Sequence, residues 1–181
     1  ALTGAQNTPE QAEFEKRMAA LLAPLANGPQ VLIQRDYHAE NLLWMPERSG
    51  AARVGLLDFQ DAMSGHAAYD LVSILQDARR DVPPAMEAAM INRYLAQNPQ
   101  DEDAFRAAYA ILGVQRNLRI VGAFAKLCTV LGKPRYINLI PRVWEFVERN
   151  LAHPALAPVA SHIRNTLPFP TPVALALLKS K

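Results

Sequence analysis

Beyond Gly65 the apolar residues of this chain recur every three or four positions, and β-branched clusters become sparse. A sequence patterned in this way folds mainly as helices packed on helices. Prolines and glycines divide the pattern at Pro83-Pro84, Asn98-Pro99, Gly132-Lys133-Pro134 and His153-Pro154. The expected helices therefore cover about 67–80, 84–97, 101–131, 140–150 and 157–165. The third is long enough for Gly113 or Gly122 to interrupt it. Pro168 to Lys181 holds three prolines and the apolar stretch Val173 to Leu178, and reads as a tail or a short terminal helix.

Ahead of Gly65 the pattern differs. Thr8-Pro9-Glu10-Gln11 reads as a capping box with proline at the first helical position, and Phe14, Met18, Leu21 and Leu22 follow at helical spacing. That helix should run from about 9 to 23 and stop at Pro24. Val31 to Ile33 and Arg53 to Phe59 then read as short strands, with Asn41 to Met45 as a further one. The expected class is mainly α with a few short β-strands (α+β), and no fixed-period repeat suggests a solenoid.

Composition narrows the function. Lys+Arg 19 against Asp+Glu 17 leaves a net charge of +2, too small to bind nucleic acid or an anionic membrane through bulk electrostatics. The single cysteine, Cys128, rules out an internal disulfide and paired zinc spacings, and reads as a small buried residue. That cysteine usage fits a reducing compartment, so a cytoplasmic protein is expected, and no apolar run approaches the roughly 18 residues of a membrane span. Residues 1–7 carry neither the basic nor the apolar region of a signal peptide, and the missing initiator methionine suggests a fragment.

The chemistry concentrates in Gln34-Arg35-Asp36-Tyr37-His38-Ala39-Glu40-Asn41, a polar loop after a strand, and in Leu56-Leu57-Asp58-Phe59, placed on a second strand 17 residues past Asn41. Magnesium takes oxygen ligands from one or two carboxylates or amides and leaves other positions for water and phosphate, which Asn41 and Asp58 could satisfy. Phosphoryl transfer further needs an aspartate that orients the attacking hydroxyl, a role open to Asp36. An Asp followed five residues later by Asn is also what a capped turn looks like, and on its own the pair suits either reading. The preceding strand, the later Asp-Phe and the helical remainder supply the context the phosphotransfer reading requires.

Asp36-x-His38-x-x-Asn41 resembles the catalytic loop of the aminoglycoside phosphotransferase and choline kinase family, relatives of the protein kinases. Leu57-Asp58-Phe59-Gln60 is similar to its metal-binding segment, and Ala67-Ala68-Tyr69-Asp70-Leu71 to the Pro-x-Tyr-Asp-Leu element that follows. The resemblance covers about residues 10–165. It implies that Asp36 is the catalytic base, that Asn41 and Asp58 hold Mg2+ with ATP as phosphoryl donor, and that Gln34, His38 and Asp70 are structural residues near the site. Gln34 departs from the usual histidine, and its amide can hydrogen-bond but carries no charge. Gln60 stands where protein kinases have glycine. No glycine-rich phosphate loop or strand lysine precedes residue 31, so residues 1–167 are expected to be the C-terminal lobe alone, with 168–181 as tail and the nucleotide-clamping N-terminal lobe absent from this chain. By itself such a lobe should bind ATP poorly and turn over little.

Within the family, Asp36 to Trp44 and Gly113-Val114-Gln115-Arg116-Asn117 look most like the cell-wall sugar kinases that act on the anomeric hydroxyl of N-acetylmuramate and N-acetylglucosamine. The resemblance implies an amino-sugar acceptor, with Glu40, Arg116 and Asn117 as candidate contacts. An aminoglycoside or choline-type acceptor is the alternative, favoured if acidic side chains converge near Asp36, and a silent scaffold lobe is the alternative outside enzymes. Asp101-Glu102-Asp103 is explained by helix-dipole compensation. Arg116, Arg119 and Lys126 share one side of an ideal helix, as an anion-facing stripe or as a solvated face. Trp144 and Tyr136 could stack on a sugar, but helical spacing favours core positions. His66, His153 and His162 lack metal spacing.

Overall fold

The computed structural model describes residues 8–179; the signal-peptide and fragment expectations for residues 1–7 lie outside them. Thr8 accepts a hydrogen bond from the Gln11 N–H at 3.2 Å and opens helix α1, Pro9–Asn27. The helix does not stop at Pro24. Pro24 removes one N–H from the ladder, but Leu22 and Leu25 on either side of it pack against the core, and that burial carries the helix on for another turn. The Gln30 amide then donates to the Leu25 and Gly28 carbonyls at 2.8 and 3.0 Å and closes the C-terminal end.

Two antiparallel hairpin-like pairs follow. Strand β1 (Val31–Ile33) pairs with β4 (Met63–Gly65), and β2 (Leu42–Trp44) pairs with β3 (Val54–Leu56). The expected strand over 53–59 ends at Leu56, because Asp58 takes the left-handed conformation at φ 56° and a one-turn helix, Phe59–Asp61, follows. Strand β4 had no sequence signal of its own. Gly65 is required there, because a Cβ would lie 2.9 Å from the Ile33 Cγ1.

The rest is helical: α2 (Ala68–Leu75), α3 (Pro84–Gln97), α4 (Glu102–Thr129), α5 (Ile140–Leu151), α6 (Ala157–Thr166) and α7 (Pro172–Lys179). Helix α4 is the spine. Ala108 to Val114 are buried without interruption, as in a helix surrounded on all sides, and α4 contributes to all three hydrophobic clusters. Neither Gly113 nor Gly122 breaks it. Gly113 is where α5 comes closest, since a Cβ there would meet Asn150 with its Cγ only 2.8 Å away. Helix α2 ends at Leu75 rather than at 80, because Gln76 and Asp77 turn inward and are 1% and 2% exposed. The terminal segment contains a true helix, with Leu178 buried against Ala78, Phe124 and Ile137. Among the described residues no helix is long and apolar enough to cross a membrane.

Candidate active site

The site begins with a turn that most residues avoid. Asp36 N donates to Gln34 O at 2.8 Å across Arg35, whose φ of 66° is left-handed. Such a conformation costs about 1–3 kcal/mol for a non-glycine residue and persists only when its surroundings hold it. Asp70 on α2 does so: its carboxylate accepts the Gln34 N–H at 2.7 Å and the Arg35 N–H at 3.2 Å. Burial pushes the Asp70 carboxyl up, and these two backbone donors oppose that shift. Asp70 is thereby tied to the turn through the backbone N–H groups of Gln34 and Arg35.

From there the loop proceeds by tight turns. His38 N donates to Asp36 O at 3.1 Å, and Asn41 N to His38 O at 2.9 Å. The Asn41 side chain reaches back and gives its Nδ2 to the Asp36 carbonyl at 2.9 Å. That bond leaves the Asn41 Oδ1 as a hard oxygen donor. Strand register then delivers Asp58: β2 pairs Leu42 with Leu56, and beyond it the Leu57 N–H donates to Asn41 O at 2.9 Å. Asp58, one residue further, flanks Asn41, with one carboxylate oxygen accepting from the Gln60 amide. An amide and a carboxylate carried on adjoining segments are the ligand types of a magnesium ion that completes its shell with water and phosphate. Among the described residues there is no group of three His, Cys, Asp or Glu that would make a site without such added ligands.

Asp36 has a side chain 58% exposed, with its Oδ1 3.9 Å from the Nε2 of the buried His38. Both line a partly enclosed cavity of about 170 Å³ with Asp77, Arg79, Arg116 and Arg119. Arg116 is 5% exposed and gives Nη2 to Ser73 Oγ at 2.8 Å, and Ser73 Oγ lies 3.5 Å from Arg35 O. Burial lowers the pKa of the Arg116 guanidinium.

The other expected acceptor residues stand elsewhere. Glu40 lies 3.4 Å from the Arg79 guanidinium, outside the cavity lining. Asn117 is fully buried and donates to Gln76 Oε1 at 2.6 Å. It belongs to a polar network in which Gln76 also bonds Glu87 and Asn150, while Glu87 accepts from Tyr109 at 2.7 Å and from Arg149. Arg119 of the basic stripe reaches the cavity, whereas Lys126 is exposed away from its lining. Trp144 is core, 4% exposed. His66 and His153 accept backbone N–H groups through Nδ1 at helix starts, and His162 Nε2 pairs with Glu10 O at 2.9 Å. Asp77 escaped sequence reading. It follows the end of α2, and the inward turn after Leu75, which no local signal marks, carries it into the cavity lining.

Comparison with known proteins adds to this geometry. A protein of Caulobacter vibrioides is 49% identical over 161 residues, 88% of this chain and 44% of that protein. One of Pseudomonas aeruginosa is 36% identical over 152 residues, covering 78% and 43%, and one of Neisseria meningitidis 34% over 143, covering 75% and 41%. All three bear the name N-acetylmuramate/N-acetylglucosamine kinase. The chain thus spans less than half the length of the curated relatives it matches. Residues 1–108 match the model of the phosphotransferase enzyme family, APH, and with the loop, brace and paired oxygen donors assembled as above, the chain belongs to that family.

Proposed function

We propose that the protein carrying this chain transfers the γ-phosphoryl group of ATP to the anomeric hydroxyl of N-acetylmuramate or N-acetylglucosamine. The observation that carries the reading is the linkage of Asp36, Asn41 and Asp58 through the Asn41 Nδ2 bond to Asp36 O and the Leu57 bond to Asn41 O. On this reading a carboxylate serves the acceptor hydroxyl and two nearby oxygen donors serve Mg2+, and the linked loop supports it. Asp36 orients the hydroxyl and takes its proton late in the transfer. Asn41 and Asp58 hold the metal, which when bound neutralises charge on the phosphates. His38, with Nε2 3.9 Å from Asp36 Oδ1, lines the cavity beside it.

The charge around the cavity supports an amino sugar over a polycationic aminoglycoside. Two carboxylates, Asp36 and Asp77, face three arginines, Arg79, Arg116 and Arg119, which suits a neutral or anionic acceptor. Of the other contacts expected at the acceptor, Arg116 keeps that role, while Glu40 orients Arg79 and Asn117 holds the cavity wall from behind. An N-terminal lobe supplies the cover for ATP. Leu32, Trp44, Phe59 and Met63 on or beside the strand pairs are each more than half exposed, the kind of apolar surface that another domain or a nucleobase covers. A cytoplasmic location matches the need for ATP and the free thiol of Cys128.

The test is magnesium-dependent ADP release by the full-length protein against N-acetylmuramate, N-acetylglucosamine, kanamycin and choline. Turnover on an amino sugar should fall about 10²- to 10⁴-fold in Asp36→Asn. Turnover that survives Asp36→Asn, or silence on both amino sugars, overturns the reading.

A further inference from the structure

Two opposite charges are buried in the cavity wall without meeting. Asp77 is 2% exposed; its Oδ1 accepts the Arg79 N–H at 2.9 Å, while its Oδ2 is buried and has no hydrogen-bond partner. Arg116 is 5% exposed; beyond the Nη2 bond to Ser73, its Nε and Nη1 are buried and also without a partner. No ion pair within 4.0 Å joins the two, although they line the same cavity as Asp36. Leaving a buried acceptor or donor unpaired is costly, and more so when it is charged. A fold carries such a cost where something else completes the bonds.

The surroundings show that the arrangement is held in place. Gln76, next to Asp77, is locked by Glu87, Asn117 and Asn150, so the backbone that presents Asp77 cannot relax toward Arg116. Arg116 is anchored on the helical spine and tied through Ser73 to the turn that presents Asp36. The two side chains therefore bring one unpartnered acceptor and two unpartnered donors into the set of residues that line the cavity. Chemistry selects what fits them. A cation would suit Asp77 but not three arginines, and a simple anion would suit Arg116 but not Asp77. A molecule that presents a hydroxyl donor next to an oxygen acceptor, as neighbouring groups of a sugar ring do, satisfies both.

We infer that Asp77 and Arg116 form the acceptor-reading pair of the site, Asp77 Oδ2 accepting a hydrogen bond from one sugar hydroxyl while Arg116 donates from Nε or Nη1 to a neighbouring oxygen. The inference rests on the phosphotransfer reading for its choice of acceptor and adds to it the residue that discriminates among sugars. Asp77 takes no part in proton transfer, which belongs to Asp36.

Asp77→Asn is the informative substitution: it keeps Oδ1 for the Arg79 N–H and turns the acceptor at Oδ2 into a donor. In the full-length protein the KM for N-acetylglucosamine and its calorimetric Kd should both rise about 10- to 100-fold, with the KM for ATP unchanged within about twofold. Mono-deoxy N-acetylglucosamines tested on the unmodified protein give a second measurement that needs no variant to fold. At least one, among the 3-, 4- and 6-deoxy sugars, should bind tenfold or more weakly, roughly the loss for a missing partner to a buried polar group. That penalty should shrink below about threefold in Asp77→Asn, as a coupled pair requires. An unchanged sugar Kd in Asp77→Asn, an equal loss for ATP, or deoxy sugars that all bind as the parent does would overturn the inference while leaving the proposed reaction standing. Asp77-dependent sugar binding without phosphoryl transfer would do the reverse. No sugar binding by the unmodified protein would remove both.

Discussion

Replacing Gly113 by alanine is a small change that should be expensive. On an exposed helix Ala in place of Gly stabilises by about 1 kcal/mol. At Gly113 the new Cβ would sit 2.8 Å from the Asn150 Cγ and 3.0 Å from its Oδ1, with Nδ2 nearer still. Asn150 is 5% exposed and cannot swing into solvent. It must retreat and stretch its bonds to Gln76, which are 2.9 Å from Nδ2 and 3.2 Å to Oδ1. Gln76 keeps Asn117 and Glu87, so the loss falls mainly on the two ends of one amide. Overpacking costs about 1–3 kcal/mol and each stranded buried group about 1–3 kcal/mol, against the gain of about 1 kcal/mol in helix propensity. The net expectation is a loss of at least about 2 kcal/mol, or roughly 4–8 °C in Tm for a chain of this size. Gly122→Ala, on the same helix with nothing within 4 Å of its Cβ, is the internal control and should be neutral or stabilising. Urea unfolding followed by circular dichroism measures both. If Gly113→Ala is as stable as Gly122→Ala, the account of the α4–α5 approach is wrong.

Two further substitutions probe the site and its pH dependence. Asp70→Asn leaves a single carbonyl oxygen to serve the N–H groups of both Gln34 and Arg35; the left-handed turn should loosen, lowering kcat about 10- to 100-fold by misplacing Asp36 while the sugar KM moves less than threefold. A fall in kcat of less than threefold would show that the turn holds without its brace. His66 is partly buried, which lowers its pKa from the ordinary 6.5, so between that lowered value and 6.5 the unfolded chain binds more protons than the native one. Stability should therefore rise with pH through this window and be lost as pH falls through it, and His66→Asn, which keeps an acceptor for the Ala68 N–H, should flatten that part of the urea-midpoint profile.

How far the sequence could be read depended on whether local rules or distant contacts decided each feature. The helix at 84–97 and the two after Gly132 stood out because prolines and glycines mark their ends, and those are local signals. Asp36 and Asn41 were legible because the loop that carries them is built from turns within eight residues. The failures were tertiary. Pro24 looked like a stop, and only the burial of Leu25 beyond it keeps α1 going. Asp58 looked like a strand residue and is a left-handed turn residue, since pairing through Leu57 fixes the chain before it and the one-turn helix after it. Asn117 was expected beside Arg116 as an acceptor contact through the sugar-kinase resemblance, yet Arg116 lines the cavity while Asn117 is claimed by Gln76 behind it. Two adjacent helical residues point about 100° apart, and only the packing of α4 decides which of them meets the ligand.

The segment between α2 and α3 would pass for an ordinary connection, the part of a domain where insertions and deletions accumulate. The network around Gln76 makes it an exception. Because Gln76 is moored to three helices and Asp77 follows directly, adding or removing one residue after Leu75 would rotate Asp77 and Arg79 out of the cavity together. Variation across homologous proteins should therefore take an asymmetric form here, with side chains at 77 and 79 exchanging as acceptors change while the spacing from Asp70 to Asp77 stays at seven. The Gln76 backbone amide, bonded to Val72 O at 2.9 Å in a residue 1% exposed, should also be slow in hydrogen exchange, opening with the helical body.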